Sequence, residues 1–178
     1  MNHLMIDIET MGIRPGAAIV SIGAVQFDLS TGETGNEFFD IIDLQSSFDM
    51  GLKAEAATLF WWFKQSDYAK EKIQGGSHIS KVLLAFSEFF MKSESGYGGM
   101  QVWGNSARFD LGILETAYKA NKTPIPWNSW LERDVRTLNF LQPNVRSEIK
   151  FEGVPHDPVA DCKHQIKYVC EIYKRLNL

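Results

Sequence analysis

The sequence predicts a single-domain α/β fold, a mixed sheet flanked by helices, and three observations predict it. Strand-like runs come first, at residues 3–9, 17–28 and 37–44, joined by turns short enough for an antiparallel meander. Helical runs then alternate with a short apolar strand at 101–103. The length, 178 residues, accommodates one substantial core and no second ordinary domain, so the domain is 1–178.

The first strand sets the theme. Successive side chains of an extended chain point to opposite faces, so Ile6 and Ile8 share one face while Asp7 and Glu9 share the other. Two carboxylates in apolar surroundings repel unless a cation or a proton lies between them. The strand is therefore expected to be a metal platform whose other ligands come from later in the chain.

Arg14-Pro15-Gly16 supplies turn chemistry, and Ile19, Ile22, Val25 and Phe27 mark the second strand. The Ser-Thr-Gly-Glu-Thr-Gly run at 30–35 turns the chain into the third. Helices are expected at 53–65 and 79–91, divided by Gly75-Gly76, with a small Gly-rich surface loop at 93–99. After the 101–103 strand, Asn105 and Ser106 lead into a helix reaching about residue 120, with Ser106 as its N-cap. Pro124 and Pro126 interrupt before a helical segment at 130–141 and a looser loop at 143–155. The closing helix, 158–176, has Asp157 as N-cap and Pro158 at the first helical position, where proline is favoured. There is no internal repeat.

Composition narrows the class. With 44% hydrophobic and 22% charged residues the chain reads as a soluble globular protein. No apolar run approaches the roughly 18–20 residues of a membrane span. The N-terminus lacks the basic segment and cleavage site of a signal peptide, which places the protein in the cytoplasm by expectation. Cys162 and Cys170 stand eight apart on one helix, about 12 Å by helical rise, too far for a disulfide. The net charge of -4 decides little, because bound divalent ions reverse the field at a carboxylate cluster.

Two later segments carry acids in telling places. Asp110 falls in the first turn of its helix, three and four residues before Ile113 and Leu114, on the stripe facing the core. Metal binding and attraction to the helix dipole account for it equally well when it is taken alone. In the last helix His156 precedes the cap and Asp161 follows in the first turn, positions that a staple across the helix start makes neighbours. Cys162, Ile166, Val169, Tyr173 and Leu176 form the core stripe, while Lys163, Lys167 and Lys174 share a solvated face.

The order of these motifs is more specific than any one of them. Asp-x-Glu on a first strand, Asn105-Ser106-Ala107-Arg108-Phe109-Asp110 opening a helix, and His156 with Asp161 opening the last helix resemble the DEDDh group of 3′–5′ exonucleases, which have a ribonuclease H-like fold. Phe60-Trp61-Trp62-Phe63-Lys64-Gln65 and Arg133-Asp134-Val135-Arg136-Thr137-Leu138 resemble segments of a phage and bacterial branch related to 3′–5′ exoribonucleases. Met11 departs from the Leu common after the Thr, and Asp157 occupies the position that holds tyrosine in the other variant of the superfamily.

The resemblance implies a five-stranded sheet, antiparallel and then parallel, and hydrolysis of single-stranded DNA or RNA from its 3′ end to nucleoside 5′-monophosphates. It implies two ions, Mg²⁺ or Mn²⁺, about 3.5–4 Å apart, because hard oxygen ligands suit those metals. Asp7 would bridge them, Glu9 and Asp161 would complete one site, and Asp110 would help the other. His156, with a pKa near working pH, would be the general base, so activity should rise with pH.

Among substrate contacts, the backbone near Thr10 would hold the terminal 3′-hydroxyl and Met11 would wedge against the last base. Asn105 would orient its neighbours, and Arg108 could reach a phosphate. Trp61 and Trp62 offer stacking for a nucleotide, although adjacent helical residues point about 100° apart, which consigns at least one to the core. Asp134 and Arg136 are expected to pair or cap a helix. Resemblance to dimeric relatives favours a homodimer. The competing readings are a catalytically silent nucleic-acid-binding module on the same fold, which would be expected to lack a ligand, and an unrelated metal hydrolase or a structural domain whose acids are caps.

Overall fold

Leu4, Met5 and Ile6 of the first strand are fully buried, and the rest of the chain is laid around them. The computed structural model describes residues 1–93 and 99–177. Its strands are β1 (His3–Thr10), β2 (Ile19–Phe27), β3 (Thr34–Ile41), β4 (Gln101–Gly104) and β5 (Glu132–Asp134). Its helices are α1 (Leu44–Asp49), α2 (Ala56–Trp62), α3 (Asp67–Glu71), α4 (Ile79–Ser93), α5 (Ala107–Ala120), α6 (Val135–Leu141), α7 (Val145–Glu148) and α8 (Pro158–Arg175).

The strands form one sheet in the order β3-β2-β1-β4-β5. The β1–β2 and β2–β3 pairs are antiparallel, and the β1–β4 and β4–β5 pairs are parallel. This is the mixed five-stranded sheet with flanking helices that the sequence leads one to expect.

The alternation of β1 divides the core. Leu4, Ile6 and Ile8 join the larger cluster with Val82, Phe86 and Leu114 of α4 and α5. Met5 faces the other way, into a cluster with Val25, Trp103, Cys162 and Ile166. Asp7 and Glu9 follow Met5 on that second face, at the end of β1 where α8 begins. Both cysteines are free thiols. Among the described residues no helix is long and apolar enough to cross a membrane.

Glycine makes the approach of α8 to the sheet possible. Gly23 of β2 pairs with Asp7, and a Cβ there would lie 2.5 Å from Pro158 Cβ and 2.7 Å from its backbone carbonyl carbon. No side chain fits that gap. Gly23→Ala is expected to lower stability by about 1–3 kcal/mol or more through overpacking and to lift the start of α8 from β1. Urea unfolding should show the loss, accompanied by reduced activity.

Three expectations are corrected. The segment 130–141 is not one helix: residues Ser129–Leu131 form a 3-10 turn, Glu132–Asp134 is the fifth strand, and α6 starts only at Val135. The break arises because Asp134 accepts N–H bonds from Thr137 at 2.9 Å and from Ala107 at 2.8 Å, capping α6 while tying β5 to α5. Second, the helix expected at 53–65 shortens to α2, since Lys53 is drawn into a bridge with Ala17. Third, α4 continues to Ser93, and residues 94–98 of the expected surface loop lie outside the described residues.

Candidate active site

The end of β1 is held from several sides. The register with β2 shifts between Glu9 and Thr10, and the Trp62 indole donates to the Thr10 carbonyl at 3.0 Å. The Thr10 hydroxyl donates to Gly12 O at 2.6 Å. Beyond it Met11 donates its N–H to Ala18 O and accepts from Glu55 N–H. These bonds fix the strand whose other face carries the carboxylates.

Asp110 reaches the strand from α5. Its Oδ2 accepts the Asn105 N–H at 2.7 Å and its Oδ1 the Ile8 N–H at 3.4 Å, so it is pinned to both β4 and β1. Gly104 leaves the room, because a Cβ there would lie 3.0 Å from Asp110 Cβ. Ser106 stands at the N-cap position, but its side chain makes no capping bond.

From α8, Asp161 Oδ2 accepts the backbone N–H of His156 at 2.8 Å. Asp157 caps the helix by accepting from Val159 and Ala160. The expected neighbourhood of His156 and Asp161 is therefore present through the main chain, with His156 in the left-handed region at φ 66. The imidazole turns towards Glu9, with Nδ1 3.8 Å from Oε1, and stands edge-on to Trp61 at 4.8 Å between ring centroids. Gln165, one turn beyond Asp161, donates from Nε2 to Asp7 Oδ1 at 2.8 Å.

Asp7, Glu9, Asp110, Asp161 and His156 all line one cavity of about 460 Å³. Ligand atoms of Glu9, His156 and Asp161 lie within 4.8 Å of one another. Burial is the main force on the acids and raises all four carboxyls. It holds Asp7 and Glu9 well above the usual carboxylate range, with their acidic neighbours adding to the rise. Asp110 is pushed up to about 7 and Asp161 to about 6. Burial also lowers His156, favouring the neutral ring.

Such a group fits divalent cations. Four carboxyls, those of Glu9 and Asp110 buried and those of Asp7 and Asp161 half-buried, resist ionising, and among the described residues no lysine or arginine forms an ion pair with any of them. An ion among them would supply the missing counter-charge. The sign of the pH effect follows from the raised values. Between the ordinary 3.8 and about 7 for Asp110, or about 6 for Asp161, the folded state keeps protons the unfolded chain has released. The stability these groups contribute is present at low pH and is lost as pH rises through that window. Added Mn²⁺ is expected to raise the melting temperature more at pH 8 than at pH 5.5; thermal melts against EDTA controls check this, and an equal increment would contradict it.

The remaining expected residues divide. Thr10, Trp61 and Asn105 line the cavity, and Trp61 is 40% exposed. Trp62 is 3% exposed and serves the core through its bond to Thr10, so it is not available for stacking. Met11 is also corrected: it is buried in the larger core because its backbone bonds to Ala18 and Glu55 turn the side chain inward, and the exposed Ile13 lines the cavity instead. Arg108 is exposed and lies outside the cavity lining, since the first turn of α5 aims Asp110 inward and Arg108 outward; Arg136 lines it instead.

Sequence reasoning missed Gln165, Glu55, Ile13 and Arg136 in the lining. Gln165 had a usable signal, standing four residues after Asp161 on the same helical face. Asp134 caps α6 as expected, whereas Arg136 donates to the Asn105 carbonyl at 3.3 Å.

With the geometry in place, comparisons with known proteins point one way. The family model described as the 3′-5′ exoribonuclease Rv2179c-like domain matches residues 2–173. An exodeoxyribonuclease of Enterobacteria phage T4 is 24% identical over 162 residues, covering 85% of this chain but 65% of the phage protein. The nuclease domain of 3′hExo, a DEDDh family member bound to rAMP, superposes with a TM-score of 0.67 at 10% identity, covering 97% of this chain and 92% of that one. E. coli Exonuclease I in complex with a dT13 oligonucleotide gives 0.67 at 14% identity, covering 98% of this chain and 41% of that one. At such identities the two structures show a shared fold, the ribonuclease H-like fold of DEDDh exonucleases.

Proposed function

Since this chain belongs to the 3′-5′ exoribonuclease Rv2179c-like domain family, and is by that membership an exonuclease, we propose that it hydrolyses the terminal phosphodiester bond at the 3′ end of single-stranded RNA or DNA and releases nucleoside 5′-monophosphates. The observation that supports this most is the meeting of Asp7, Glu9, Asp110 and Asp161, from β1, α5 and α8, with His156 in one cavity.

In this reading the four carboxylates hold a pair of Mg²⁺ or Mn²⁺ ions. Such ions, when bound, lower the pKa of a coordinated water and stabilise charge on the leaving oxygen. Gln165 orients Asp7 through its amide, and the N–H groups of Asn105 and Ile8 orient Asp110, so two ligands are set before substrate arrives. His156 removes the proton from the attacking water, a task its lowered pKa suits at neutral pH. Trp61 and Ile13 offer the last nucleotide an apolar wall, and the backbone at Thr10 offers its 3′-hydroxyl a partner. A homodimer is part of the same proposal and rests on the resemblance alone.

The deciding experiment is incubation of 5′-end-labelled single-stranded RNA and DNA with Mg²⁺ or Mn²⁺. A ladder shortening from the 3′ end is expected. Release of the label as a mononucleotide at the earliest times, or no cleavage with either ion, overturns the reading.

A further inference from the structure

Beside the acids lies a second, smaller cavity of about 390 Å³ lined by Asn105, Arg136, Asn139, Arg146 and Tyr168. Asn105 and Arg136 belong to both cavities, so the two adjoin. Its charge is one-sided. Neither Arg136 nor Arg146 forms an ion pair among the described residues, and Arg136 bonds only the Asn105 carbonyl, at 3.3 Å. Arg136 lines the cavity of the acids as well as this one, and Arg146 lines this one, which places the two guanidiniums on the flank of the cluster.

A further polar group is unpartnered there. The Asn139 amide oxygen is buried without a hydrogen-bond partner among the described residues, and beside it Tyr168, 1% exposed, lines the same cavity. Burial holds that phenol well above its ordinary value, so it remains a donor throughout the working range. Two arginines without carboxylates, and a buried hydroxyl that can donate, are the groups that recognise a phosphate.

We propose that the cavity between Arg136, Arg146 and Tyr168 is a subsite for a backbone phosphate, the one immediately 5′ of the bond being cut. The assignment rests on the 3′–5′ exonuclease reading. When the last bond of a strand is at the acids, the terminal nucleotide ends in a hydroxyl. The only neighbouring phosphate is then on the 5′ side.

A dinucleotide offers a direct test, because it contains the scissile phosphate and nothing else unless its 5′ end is phosphorylated. The 5′-phosphorylated dinucleotide is expected to have a kcat/KM about tenfold or more above its unphosphorylated counterpart, the effect of one charge-assisted hydrogen bond. Arg146→Ala should bring that ratio close to one, and Arg146→Lys, which keeps the charge and loses the fork, should restore part of it. Equal use of the two dinucleotides by the unaltered protein, or a ratio unmoved by Arg146→Ala, overturns the assignment.

Equilibrium binding of the same pair to Asp7→Asn gives a readout independent of turnover. If the unaltered protein cuts neither dinucleotide yet the 5′-phosphate still tightens binding, the nuclease reading fails and takes the placement 5′ of a cut bond with it, leaving a phosphate site only. If both are cut and binding ignores the 5′-phosphate, the subsite fails and the nuclease reading stands.

Discussion

Asp7→Asn is expected to abolish exonuclease turnover while raising the melting temperature of the metal-free protein. Loss of a central ligand removes several kcal/mol of transition-state stabilisation, which at about 1.36 kcal/mol per factor of ten is a thousandfold or more. Stability moves the other way because burial and the charges of Asp110, Glu9 and Asp161 oppose ionisation of Asp7. An amide keeps the oxygen that accepts from Gln165 and removes the charge. Asp110→Asn should also lose turnover but lower the melting temperature: both of its oxygens accept backbone N–H groups, and an amide nitrogen would face one of them. Melts in EDTA and single-turnover assays distinguish the pair. A destabilised Asp7→Asn, or one that retains substantial activity, would remove Asp7 from the centre of the site.

His156→Ala is expected to lower kcat by about 10²–10⁴, the usual worth of a general base, while Mn²⁺ still raises the melting temperature. The unaltered protein should gain activity as pH rises through a value below the ordinary 6.5 of an imidazole, since burial favours the neutral ring. That limb should vanish in the variant. Position 156 has a left-handed backbone, so alanine adds strain of roughly 1 kcal/mol or more. His156→Asn, better suited to that conformation, separates strain from chemistry. If both variants turn over as fast as the parent, another group takes the proton.

Much of this was legible in the chain because the signals were local. Period-two alternation put Asp7 and Glu9 on one face, and the Asp157-Pro158 start fixed α8 and brought His156 near Asp161. What escaped depended on contacts between distant segments. β5 is three residues long, too short for any period to show, and exists because Gly104 and Asp134 pair across the sheet. Met11 and Trp62 looked available for substrate, but bonds to Ala18, Glu55 and Thr10 place them inside. The imidazole's turn towards Glu9 follows from one backbone dihedral that composition does not encode.

The indole bond from Trp62 to Thr10 ties α2 to the tip of β1. Trp61, Thr58 and Glu55 line the same cavity as the acids, so the bond joins that part of the wall to the strand carrying Asp7 and Glu9. If the proposed exonuclease reading holds, this single bond sets the width of the space between that wall and the acids, so loosening it, as in Trp62→Phe, should change how a strand end is seated without touching an acid.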